Sequence, residues 1–82
     1  MITGVYIWLN YYKTSGSHSS HLDWVGKIDV EVGKKAINKF TLEDVLKRQS
    51  SAFFSHDVIC SATMQEIATG KVLYRRQIGR VK

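Results

Sequence analysis

Residues 2–12 read ITGVYIWLNYY, and this stretch decides the architecture. Val5, Ile7, Leu9 and Tyr11 alternate with Tyr6, Trp8, Asn10 and Tyr12. A period of two, carried by β-branched and aromatic side chains, specifies a strand and not a helix. Both faces of that strand are rich in apolar or aromatic groups. It therefore belongs in the middle of a sheet, or one of its faces is covered by a partner.

Working outward, residues 13–23 (KTSGSHSSHLD) are rich in Ser, Gly and His and carry no periodicity, which predicts a loop. Residues 24–32 alternate again: Trp24, Gly26, Ile28, Val30 and Val32 stand against Val25, Lys27, Asp29 and Glu31, as in a half-buried second strand. A helix is predicted over residues 42–51. Thr41 is a good N-cap, Asp44 completes an approximate capping box, and Phe40 with Val45 has the spacing of a hydrophobic staple. Glu43 and Asp44 suit the start of that helix, and Lys47 and Arg48 suit its end. Its inward stripe is Leu42, Val45, Leu46 and Gln49, narrow enough to lie across a sheet. Residues 55–66 and 72–78 alternate as strands three and four, joined by a hairpin in which Gly70 supplies a positive-φ residue.

The order β-β-α-β-β implies an α+β fold, a four-stranded and mainly antiparallel sheet with one helix on one face. The 82 residues form a single small domain with a basic C-terminal strand and tail over residues 71–82. A chain of this size buries only about 60% of its unfolded surface, which excludes a large multi-substrate enzyme. Its 44% hydrophobic content and 23% charged content are those of a globular protein and not of a disordered tail. The lone Cys60 cannot form an internal disulfide, the start of the chain has no secretion-signal pattern, and the longest apolar run, residues 5–9, is far too short to span a bilayer. The expectation is a cytoplasmic protein with no membrane partner.

The formal net charge of +5 is unevenly placed. Residues 1–33 carry Lys13 and Lys27 against three acids, whereas residues 34–82 carry ten Lys or Arg against four. Lys71, Arg75, Arg76, Arg80 and Lys82 fall in the last twelve residues, and Lys34, Lys35 and Lys39 form a second group. This asymmetry points to an anionic partner, a nucleic acid or an acidic protein surface. Tyr6, Trp8 and Tyr12, set near Arg75 or Arg76, have the makings of a platform on which single-stranded bases stack. This requires strands one and four to be neighbours and that face to be uncovered. Because consecutive strand residues point to opposite faces, Arg75 and Arg76 form no one-sided stripe unless they lie at an edge.

Chemistry is harder to find. His18, His21 and Asp23 are metal-ligand types in one loop, with His56 and Asp57 elsewhere, but no paired spacing anchors a zinc site. Ser55, His56 and Asp57 are the three residue types of a hydrolase triad, yet neighbours in an extended segment cannot make the relay geometry. Cys60 shares a face with Val58, Ala62 and Met64 and reads as core. Glycine spacing for a phosphate loop is absent. The sequence therefore predicts no metal, no cofactor and no catalytic residue. It leaves two readings: a nucleic-acid or polyanion binder working through the basic C-terminal hairpin and tail, or a protein-interaction module. The latter would be a small inhibitor or adaptor of the kind mobile elements encode, acting through the aromatic first strand and a sheet edge. Open edges also make a homodimer compatible with the sequence.

Overall fold

The computed structural model describes residues 1–13, 15–48 and 58–81. Four strands, β1 (Ile2–Lys13), β2 (His18–Asp29), β3 (Val58–Glu66) and β4 (Val72–Val81), form one antiparallel sheet in the order β2-β1-β3-β4. Between β2 and β3 the chain forms α1 (Val30–Asn38) and α2 (Leu42–Lys47), which pack on one face. The fold is α+β, and β1 is interior in the sheet, the first of the two arrangements its two-faced sequence allows.

The alternation of β1 separates two environments. Val5, Ile7, Leu9 and Tyr11 face the helices and are buried with Val58, Cys60, Ala62 and Met64 of β3, Ile37 of α1 and Val45 of α2. Phe40, Leu42, Leu73 and Ile78 close the margins of this core. Gly33 lets α1 approach β3, since a Cβ there would lie 2.8 Å from the Met64 sulfur. Burial pushes the Cys60 thiol above its ordinary value, as expected for a core cysteine.

Four expectations change. Most of the predicted loop over residues 13–23 is strand, because β2 begins at His18 and pairs with β1 through Tyr12 opposite His18. The connection is a short turn in which Gly16, at φ +100°, donates its amide to the Lys13 carbonyl, and the Lys13 amide donates to the Ser17 carbonyl. Ser and His tolerate extension, and a twelve-residue β1 offers them a ladder. The second strand does not reach Val32. It ends at Asp29, whose carboxylate accepts from the Glu31 and Val32 amides and starts α1. Val30, Gly33 and Ile37 then have helical spacing toward the sheet, whereas Val32 is 54% exposed.

The helix expected over residues 42–51 ends at Lys47. Its start is as predicted: the Asp44 amide donates to Thr41 Oγ1 at 3.1 Å and the Thr41 amide to Asp44 Oδ2 at 3.0 Å. Strand four runs past Ile78 to Val81. The expected start of strand three over residues 55–57, together with Gln49, Ser51, His56, Asp57 and Lys82, lies outside the described residues.

Candidate nucleic-acid interface

Neither helix covers the face of the sheet opposite the core. Register arranges that face in rows. His18, Tyr12, Ile59 and Arg80 form one row, then Ser20, Asn10, Ser61 and Gln77, then Leu22, Trp8, Thr63 and Arg75, and last Val25, Tyr6, Gln65 and Val72. The first two rows are mostly polar or basic and the last is mostly apolar, with Trp8 and Arg75 between. A bulge at Asp23 brings Leu22, not Asp23, opposite Trp8.

The side chains of this face are held by one another. Trp8 Nε1 donates to Gln65 Oε1 at 3.0 Å, and Gln65 Nε2 donates to the Gly70 carbonyl at 3.1 Å. Asn10 donates through Nδ2 to Ser61 Oγ and Thr63 Oγ1, both at 3.3 Å, while its Oδ1 accepts from Ser20 Oγ at 2.9 Å. One buried amide thereby ties β2, β1 and β3 together, with its polar atoms satisfied. The Tyr12 and His18 rings stack with centroids 5.5 Å apart and planes 15° apart. The Arg75 guanidinium reaches across β3 to within 5.7 Å of the Tyr12 ring centre. Together these groups bound an open groove of about 640 Å³, and none of the described residues lining it is acidic.

The predicted site residues do not all converge. Tyr6, Trp8 and Tyr12 share the open face, with the Tyr6 and Trp8 rings 5.7 Å apart and tilted by 49°. Arg75 joins them although β4 is not a neighbour of β1, and Arg80 takes its place by register. Arg76 points the other way and donates through Nη1 to the Ile37 and Phe40 carbonyls at 2.9 and 2.7 Å, closing the end of α1. Lys34, Lys35 and Lys39 belong to α1 and its C-cap in the helical layer, and Lys34 pairs with Glu31 at 3.3 Å. Lys71 is exposed at the tip of the β3–β4 hairpin.

His18, His21 and Asp23 diverge. His18 takes the open face, His21 lies opposite Leu9 on the helical side, and Asp23 binds Arg48 Nη1 at 2.7 Å. Among the described residues no group of three His, Cys, Asp or Glu side chains is arranged for a metal. No helix there is long and apolar enough to cross a membrane. Residues that sequence reasoning left out of the interface are His18, Asn10, Ser20, Thr63 and Gln65. The one available signal was a turn at Ser15-Gly16, which would have set His18 beside Tyr12. No family model matches the chain, and no match is found among the curated proteins or the solved structures, so the interface is argued from its geometry.

Proposed function

We propose that this is a small non-catalytic protein that binds single-stranded nucleic acid on the open face of its sheet. The observation that carries the reading is the groove itself. Half-buried aromatics of β1 stand in it, Arg75 is held over Tyr12, and among the described residues no carboxylate lines it. Stacking needs bases free of a duplex, and a flat sheet face with aromatic side chains suits them better than a paired helix. Phosphates would meet Arg75 and Arg80, with Lys71 at the rim. Arg76 and the α1 lysines stand in the helical layer and are not part of this surface.

Titration of labelled single-stranded and duplex oligonucleotides across a salt series tests it. Single strands are expected to bind at least about tenfold tighter than duplexes, with log affinity falling linearly against log salt. Arg75→Glu should weaken binding and flatten that line. Equal affinity for the duplex, or an unchanged Arg75→Glu, would overturn the reading.

A second reading, a protein-interaction module or homodimer, has one specific support. Strand β2, at the edge of the described sheet, exposes Leu22, Trp24 and Val25 at 42%, 39% and 51%. It predicts a dimeric mass in solution that Val25→Lys converts to monomer. A monomer at high concentration would remove that support.

A further inference from the structure

The aromatic stations of β1 differ in what already lies against them. Tyr12 is flanked by the His18 ring, nearly parallel at 5.5 Å, and by the Arg75 guanidinium at 5.7 Å. An added base would have to displace one of these. Trp8 meets Tyr6 at a tilt of 49°, and no parallel ring among the described residues covers it. Its indole N–H is satisfied by Gln65, whose own amide is anchored on the Gly70 carbonyl of the hairpin turn. The ring is therefore set in orientation before any ligand arrives, which lowers the cost of ordering it on binding. Arg75 sits in the same row as Trp8, one strand beyond Thr63.

Resting on the nucleic-acid reading above, we propose that the open face divides its labour. Trp8 is the base-stacking station, Arg75 propped on Tyr12 is the phosphate anchor, and Gln65 is the positioning residue that aims Trp8. Trp8 and Tyr12 are four residues apart, about 13 Å along the strand at the usual rise. Sheets that stack bases on strand aromatics hold about two or three of them, and this span fits that number. The ligand is a short run of single-stranded nucleic acid lying across β1 and β3, with its bases toward Trp8 and its backbone toward β4.

The chain has two tryptophans, so Trp24→Phe leaves Trp8 as the sole tryptophan, whose emission is read with excitation selective for indole over tyrosine. In that background, oligo(dU) and oligo(U) of one to eight nucleotides are titrated by emission and, with labelled oligomers, by anisotropy. The expected result is quenching of Trp8 at saturation and affinity that rises steeply up to about three nucleotides and slowly beyond. Trp8→Ala and Trp8→Leu, each checked for an unchanged circular dichroism spectrum, should lose about tenfold or more in affinity while keeping the salt slope. Arg75→Gln should keep the quenching and lower the slope by about 0.7, the value for one single-strand phosphate. Gln65→Met should reduce quenching and affinity severalfold with the salt slope and urea midpoint unchanged. A purely structural role for Gln65 would instead move the midpoint. Binding that persists with Trp8 emission unchanged, or with wild-type affinity in both Trp8 variants, overturns the division while leaving the nucleic-acid reading intact. Absence of binding at low salt overturns both. Preference between oligo(dU) and oligo(U), which differ only at the 2′-position, identifies the sugar, since only RNA carries the 2′-hydroxyl.

Discussion

Trp8 and Leu9 are adjacent in one strand and stand in different media. Leu9 is fully buried among aliphatic and sulfur-bearing side chains beneath the helices. Trp8 faces the side away from the helices, half-buried, with its one polar atom tied to Gln65. The same alternation continues along β1: hydrocarbon on the covered face, and on the other Asn10 bonded to Ser20, Ser61 and Thr63, with Gln65 bridging Trp8 and the Gly70 carbonyl. Leu22 and Val25 on β2, Val72 on β4 and Ile59 at one end of β3 flank this face, while its centre holds the Asn10 network and the Trp8 indole tied to Gln65, so the two faces differ most along their middle.

The largest effects should separate these neighbours. Leu9→Ala empties the centre of the core and is expected to cost about 2–5 kcal/mol, read from urea denaturation. Trp8→Ala should cost much less stability and instead remove oligonucleotide binding. Comparable losses of stability in the two would mean that the open face is a second core and would break the contrast.

Arg75 and Arg76 repeat the comparison on β4. Arg76→Met leaves the Ile37 and Phe40 carbonyls without their charged donor and is expected to cost about 1.5–3 kcal/mol with oligonucleotide affinity retained. Arg75→Met should do the reverse, lowering affinity and salt dependence with the unfolding midpoint unchanged. Denaturation and salt titrations on the same two proteins sharpen the comparison, because each arginine then serves as the other's control.

The sequence made some of this legible because the deciding interactions are local. The two faces of β1 follow from its period, and the start of α2 follows from Thr41 and Asp44, which need only each other. The opposed directions of Arg75 and Arg76 are also local. Which of them reaches the aromatics is not, because it depends on β3 entering the sheet between β1 and β4. The start of α1 was hidden for a different reason. Ile28, Val30 and Val32 continue a strand-like alternation, and only the Asp29 carboxylate turning back on the Glu31 and Val32 amides breaks it. His18 was hidden by composition: a serine-rich segment reads as loop until a long neighbouring strand offers it hydrogen bonds. The interface was legible as a face of aromatics, but its polar floor required cross-strand register, which no single strand encodes.

A smaller effect is confined to the helical layer. Thr41→Ala removes one half of the reciprocal cap at the start of α2 and should cost about 1 kcal/mol. Val45 of that helix lies in the core, on the opposite side of the sheet from the open face, so a melt should shift and an oligonucleotide titration should not. A loss of affinity in Thr41→Ala would show that the two faces are coupled through the sheet.

The smallest effect concerns acid. The Asp29 carboxyl is held below its ordinary value of 3.8 first by the amino group of Met1, 2.9 Å away, and then by the Val32 and Glu31 amides. In the unfolded chain those partners are gone and the group takes up its proton at higher pH. The unfolded state therefore binds more protons as pH falls from just above 3.8, and the stability that Asp29 contributes above that value is lost through the folded pKa. Because the carboxylate is exposed, water and salt screen the contribution, and it should shrink further at high ionic strength. Asp29→Asn keeps a good N-cap but cannot titrate. Between pH 5 and pH 3 the wild type should lose slightly more of its urea midpoint than Asp29→Asn does. Asp44, lowered chiefly by its bonds to Thr41, adds a loss of the same sign to both proteins and cancels in the difference. An equal drop in the two would mean that the amino terminus and the cap hold Asp29 no better in the folded chain than water does in the unfolded one. The start of α1 would then rest on the packing of Val30, Gly33 and Ile37 alone.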